Sequence, residues 1–209
     1  MGIAERKESE KSARRQLILD SASAVFREKG FAESTIGDIA ERAEIAKGTI
    51  YLYFKSKADL YFSLTKPAIE NLSMRLTRIA GNRADTPDAR IRKLVYAVYD
   101  FYEQDVDAYN LVTHYRAAQY ADLFPRDRVR GLRRLMRTNL RQMEIVIEEG
   151  ISKGYFCRIN PYSGAVVFWS AFIGIIQFQD NRMMPGKGDY RRETLDLLIE
   201  TMLHGLLKK

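Results

Sequence analysis

Lys47-Gly48-Thr49-Ile50-Tyr51-Leu52-Tyr53-Phe54 comes shortly after Ile36, Ile39, Ala40 and Ala43, whose spacing predicts a helix of about two turns. At about 100° per residue, Ile50 and Phe54 lie within about 40° of each other and face inward. Gly48, Thr49, Tyr51 and Leu52 then project to the far side, flanked by Lys47 and Tyr53. A stretch this short is not stable alone and must pack on its neighbours. Thr35, with Asp38 three residues later, is a capping-box start for the preceding helix. Upstream, Ile18, Leu19, Ala22, Val25 and Phe26 predict a longer helix from about Ser9 to Lys29, stopped by Gly30. Two short helices joined by a tight turn and packed on a longer one make a helix-turn-helix, whose second short helix enters the DNA major groove.

The outward residues have suitable chemistry. Gly48 permits close backbone approach, and the free N–H groups of a first helical turn favour phosphate. Lys47 adds charge there. Thr49, Tyr51 and Tyr53 can donate to phosphate oxygens, and Thr49 or Leu52 can meet a base edge or thymine methyl. Lys57 is expected to neutralise a further phosphate, and Thr35 and Ile36 complete the candidate DNA-binding set. A small three-helix subdomain whose tyrosines merely pack at an edge fits the same pattern.

Residues 15–60 resemble the TetR/AcrR family of bacterial transcriptional regulators. The resemblance is carried by Arg15, Ile18-Leu19, Ala22, Phe26, Gly30-Phe31, Thr35-Ile36, Ile39-Ala40, Ala43, Lys47 to Phe54, Lys57 and Leu60. It implies a dimeric repressor with an N-terminal DNA-binding domain and a variable C-terminal ligand and dimerisation domain. Two positions depart from the family pattern. Glu44 stands where Gly is common at the turn, at a cost of about 1–2 kcal/mol if that backbone is left-handed. Ala46 replaces a Ser or Thr cap, losing about 1 kcal/mol.

Downstream, Ser56 and Asp59 open a helix that continues to Gly81, with a kink or break expected at Pro67. Residues 81–86 read as a linker. Thr86-Pro87 starts a helix to about Asp105, and Asn160-Pro161 starts another to about Gln179. Between these, Val129, Leu132, Met136, Leu140, Met143 and Ile147 form a stripe that stops near Gly150 or Gly154. A last helix runs from about Asp189 through Leu195, Leu198, Ile199, Met202 and Leu206. No strand-like alternation is present. The expected fold is all-α: a three-helix DNA-binding domain over residues 1–56 and a helical bundle for ligand and dimerisation over residues 57–209.

Composition agrees with a folded helical protein: 209 residues, 46% hydrophobic and 29% charged, with only 13 Gly and 5 Pro. One cysteine and two histidines leave too few soft ligands for a structural zinc or iron–sulfur site, so no metal and no cofactor is expected. The lone cysteine, and a charged N-terminus unlike a signal peptide, point to the cytoplasm. The longest apolar run, residues 164–176, is shorter than the roughly 20 residues a bilayer span needs, so no membrane is expected. The net charge of +7 lies elsewhere than the helix-turn-helix, because residues 1–56 hold ten basic and nine acidic residues. Residues 126–142 hold seven arginines against Asp127, which reads as a solvated face, a site for an anionic ligand such as an acyl-coenzyme A, or an acidic partner's surface.

Eight aromatics crowd residues 96–124. Tyr99, Tyr102, Tyr109, His114 and Tyr115, with Phe168, Trp169 and Phe172 from the apolar run, form the candidate ligand site; an aromatic core explains them equally well. The expected partners are double-stranded operator DNA, a small-molecule effector (aromatic or acyl, with an anion as one option) and a second copy of the chain, paired through the last two helices. The competing reading is a helical-bundle enzyme or binding protein acting on an acidic metabolite. No catalytic constellation supports it: Glu200 and His204 have no second motif to complete a metal site.

Overall fold

The structure is a computed structural model and describes residues 2–114, 126–180 and 189–207. The fold is all-α, and the described residues form nine helices. They are α1 (Ile3–Glu33), α2 (Ile36–Arg42), α3 (Lys47–Tyr51), α4 (Lys57–Gly81), α5 (Pro87–Gln104), α6 (Val106–His114), α7 (Arg126–Ser152), α8 (Pro161–Asp180) and α9 (Arg191–Leu206). The only extended pairing among the described residues is an isolated antiparallel bridge between Phe156 and Leu207. Packing divides the chain into two compact units. One holds residues 2–67, 114 and 126–130; the other holds residues 68–113, 131–180 and 189–207. The boundary read from the sequence lies at 56/57, whereas this division falls within α4, after Pro67.

In the first unit, Ile18, Ala22, Val25 and Phe26 of α1 are buried with Ile39 and Ala40 of α2 and Ile50 of α3. Helix α1 begins earlier than its apolar pattern, because side-chain pairs such as Arg6 with Glu10 at 3.1 Å support an exposed charged stretch. Gly30, at φ 76°, breaks the helical path as expected.

The turn after α2 is a Schellman motif: the Ile45 N–H donates to the Ala40 carbonyl at 3.0 Å and the Glu44 N–H to Glu41 at 3.1 Å. Glu44 occupies its left-handed position, φ 52°. The end of α7 repeats the motif with glycine, Gly154 at φ 77°, and its Tyr155 N–H reaches the Gly150 carbonyl at 2.8 Å. Glu44→Gly is therefore expected to stabilise the protein by about 1 kcal/mol, read as a higher urea midpoint at unchanged slope.

In the second unit, Leu94, Val98 and Tyr102 of α5, Ile147 of α7, Phe168 and Phe172 of α8 and Ile199 of α9 are buried. Helix α4 continues through Pro67 as one helix. Helix α6 was not foreseen; Asp105 interrupts the helical path and caps the new helix by accepting the Ala108 N–H at 2.8 Å. Gly150 lies inside α7, with Phe156 folded against it. A Cβ there would sit 2.1 Å from the buried Phe156 ring. Gly150→Ala should thus cost about 1–3 kcal/mol, although alanine is the better helix former; thermal melting checks this.

Candidate nucleic-acid interface and ligand pocket

In the first unit the cap of α2 and the outer face of α3 form one edge. Thr35 Oγ1 accepts the Asp38 N–H at 3.1 Å, and the Thr35 N–H donates to Asp38 Oδ2 at 2.8 Å, closing the expected capping box. Lys29 donates to Asp38 Oδ1 at 2.7 Å. These bonds, that from Lys29 first and those from Thr35 next, hold the Asp38 carboxyl down at about 2. Their contribution to stability is present above the ordinary carboxylate range and fades as pH falls towards 2. The Lys47 side chain lies along the first turn of α2, with Nζ 2.9 Å from where a Cβ on Gly37 would be.

Helix α3 spans five residues, shorter than the eight-residue stretch read from the sequence, and continues as a tight turn in which the Phe54 N–H donates to the Ile50 carbonyl at 2.9 Å. Ala46 is its N-cap and supplies no side-chain bond. Ile50 and Phe54 are buried, while Tyr51 and Leu52 are exposed, Leu52 to 82%. Lys47 and Gly48 are also exposed, and Thr49 and Tyr53 half-buried. Arg15 stacks over the Phe54 ring at 5.0 Å and pins the end of this segment to α1, a contact the sequence reading missed.

Lys57 does not join this surface. Its ammonium donates to the carbonyls of Phe31, Ala32 and Ser34 at 2.6, 3.1 and 2.7 Å and lies 4.6 Å from the centre of the Phe31 ring. An ammonium has three protons, and all are committed to the end of α1. The side chain closes the end of α1.

In the second unit, Tyr99, Tyr102, Tyr109, Phe172 and Trp169 form a continuous aromatic row, with successive ring centres 5.0–6.4 Å apart. Arg191 stacks on Tyr102 and donates to its hydroxyl. Burial, then the hydrogen bond with Glu103, raises the Tyr99 phenol to about 12. The three tyrosines are buried. A pocket that they do not line lies among α4, α5, α7 and α8, where Leu76, Leu94, Val98, Met143 and Phe168 surround Asn139, and Trp169 and Phe172 close one side. Its space, mouth included, is about 400 Å³. Asn139 is 6% exposed, and its Oδ1 has no hydrogen-bond partner. The His114 side chain, like Tyr115, lies outside the described residues.

On α7, Arg130, Arg133, Arg134, Arg137 and Arg141 are all exposed, and Arg141 pairs with Glu144 and Glu148 at 2.7 and 3.0 Å. No cluster of three or more His, Cys, Asp or Glu fit to hold a metal occurs among the described residues.

Comparison with known proteins decides the family. The N-terminal signature of the bacterial regulatory proteins of the tetR family matches residues 18–64. The transcriptional repressor KstR2 of Rhodococcus jostii is 30% identical over 153 residues, 71% of this chain and 70% of that protein. The chain belongs to the TetR family. Another relative, the transcriptional activator FasR of Mycolicibacterium smegmatis, is 32% identical over 99 residues, so the match spans only 45% of that protein. The fold is shared with the transcriptional regulator FadR of Bacillus subtilis, solved in complex with stearoyl-CoA: TM-score 0.66, 19% identity, 91% of this chain and 98% of that one. Within this TetR-family chain, the family signature contains the capping box, the Glu44 turn and the whole of α3.

Proposed function

We propose that this TetR-family protein is a ligand-responsive transcriptional repressor that binds a palindromic operator as a homodimer. The carrying observation is the division of the Lys47–Phe54 segment: its apolar side is buried in the first unit, while Lys47, Gly48, Tyr51 and Leu52 stand in solvent. Residues 1–56 act as the DNA-binding domain and residues 57–209 as the ligand and dimerisation domain. Thr35, Ile36 and Lys47 position the phosphate backbone with Tyr51 and Tyr53, and Thr49 or Leu52 reads the groove. Relatedness to the repressor KstR2 supports the direction of regulation.

Support for the dimer comes from α8 and α9, where Val167, Phe178 and Leu197 expose 53%, 50% and 67% of their surface, with Ser170 and Gly174 between the first two. By length and composition alone Pro161–Gln179 could also cross a bilayer, at a mean hydropathy of 1.3. Its exposed Ser163 and Ser170, and Ala165, Phe168, Phe172 and Ile176 packed in the core, favour a helix that pairs with a second copy. The protein then works in the cytoplasm, where its DNA is, and has no catalytic role.

The effector is aromatic or acyl, because the pocket is lined almost wholly by aliphatic and aromatic side chains. That a structural relative was solved with stearoyl-CoA supports the acyl class. Selection of bound sequences from a random duplex pool tests the reading. The expected product is a palindrome with half-sites about one DNA turn apart, roughly 34–36 Å, or a multiple of it. A pool with no enriched duplex, or a protein that stays monomeric in light scattering, would reject it.

A further inference from the structure

The pocket of the second unit presents one unusual group. Its wall is aliphatic and aromatic apart from Asn139, a buried side chain whose Oδ1 has no hydrogen-bond partner. Buried polar atoms are nearly always paired, so an unpaired one on a side chain that lines a cavity marks a place where a partner arrives. No Lys, Arg or His lines the pocket, so a carboxylate placed there would lose its hydration with no counter-charge. Met143, an unbranched and adaptable side chain, stands in the wall and lets the space widen towards the range of ligand sites.

We infer that the pocket selects an uncharged, mainly apolar molecule carrying one hydroxyl or amide N–H, which donates to Asn139 Oδ1 while the rest packs against Phe168, Trp169 and Phe172. The inference rests on the reading of this pocket as the effector site, and it narrows that reading to a neutral ligand or the neutral part of a larger one.

Trp169 is the sole tryptophan of the chain, so its fluorescence reports directly on the pocket. The probes are 1-decanol, its methyl ether and decanoate, titrated into the full-length protein above the carboxylate range. Decanol should change the Trp169 emission saturably and bind roughly a hundredfold more tightly than decanoate. The ether, which keeps the chain but lacks the donor, should bind roughly tenfold more weakly than the alcohol. Asn139→Leu should erase the difference between alcohol and ether. The ether comparison needs no variant and stands even if the leucine protein does not fold.

Equal or tighter binding of decanoate, equal affinity for alcohol and ether, or no saturable response to decanol would overturn the inference, the last meaning that Asn139 is served by a trapped water alone. Duplex binding measured on the same samples separates the two readings. Intact duplex binding with no ligand response removes only the pocket chemistry. Tight decanol binding that leaves duplex affinity unchanged supports the pocket chemistry and removes the effector role.

Discussion

Arg90→Met is expected to destabilise the protein by about 3–5 kcal/mol, more than any other single change considered for this chain. Arg90 is 1% exposed. Its guanidinium donates to the Ala80 carbonyl near the end of α4 at 2.7 Å and pairs with Glu149 of α7 at 2.9 Å. Burial pulls its pKa below the usual arginine value, yet the group stays charged at any physiological pH. Arg83 and Lys153 also pair with Glu149, but from side chains more than half exposed, so the methionine variant deprives the mostly buried carboxylate of its buried partner. It also strands a buried helix-end carbonyl and loses the planar fork that ties α4, α5 and α7 together. Arg90→Lys should recover little, because one ammonium cannot span both acceptors. Thermal melting should fall by roughly 6–20 °C at about 2–4 °C per kcal/mol. A shift within a degree or two would show that Arg83 and Lys153 suffice.

Lys57→Met separates a fold-holding role from DNA contact. Losing three charge-assisted bonds to the end of α1 should cost about 2–3 kcal/mol. The dependence of duplex affinity on salt should not change, whereas losing a phosphate contact lowers that slope by about 1. Lys47→Ala should do the reverse, leaving stability untouched and reducing the slope by about 1. A lower slope for the Lys57 variant at full stability would return that side chain to the phosphate backbone.

These two residues mark where the sequence is readable and where it is not. Helical periodicity carries α1 to α5 and α7 to α9, because each buries one stripe whose spacing is visible in the chain. Helix α6 escaped because nine residues hold little periodicity, although Asp105 three positions before Ala108 was a legible cap signal. Glu44 was legible for a different reason: the family resemblance placed a glycine there, and the left-handed backbone follows from the Schellman turn.

Lys57 and Arg90 could not be assigned, since a basic residue in sequence reads as solvent or phosphate contact, and its actual acceptors lie 10 to 26 residues away. The pocket was half visible. Aromatic density drew attention to Tyr99, Tyr102 and Tyr109, which pack on one another. The wall instead takes aliphatic residues from α4, α5 and α7, ordinary core positions until the helices are assembled. Asn139 looked like any polar residue in an arginine-rich helix; only its burial and its unpaired oxygen single it out.

The central claim, that the outer face of α3 reads duplex DNA, is tested most directly by repeating the duplex selection with Thr49→Ala, Tyr51→Ala and Leu52→Ala combined. Tyr51 and Leu52 stand mostly in solvent and Thr49 is half-buried, so melting should stay within a few degrees of the parent. The account predicts that the parent's palindrome is no longer enriched while weak, salt-sensitive binding to any duplex persists. Recovery of the same palindrome by the triple variant would contradict it.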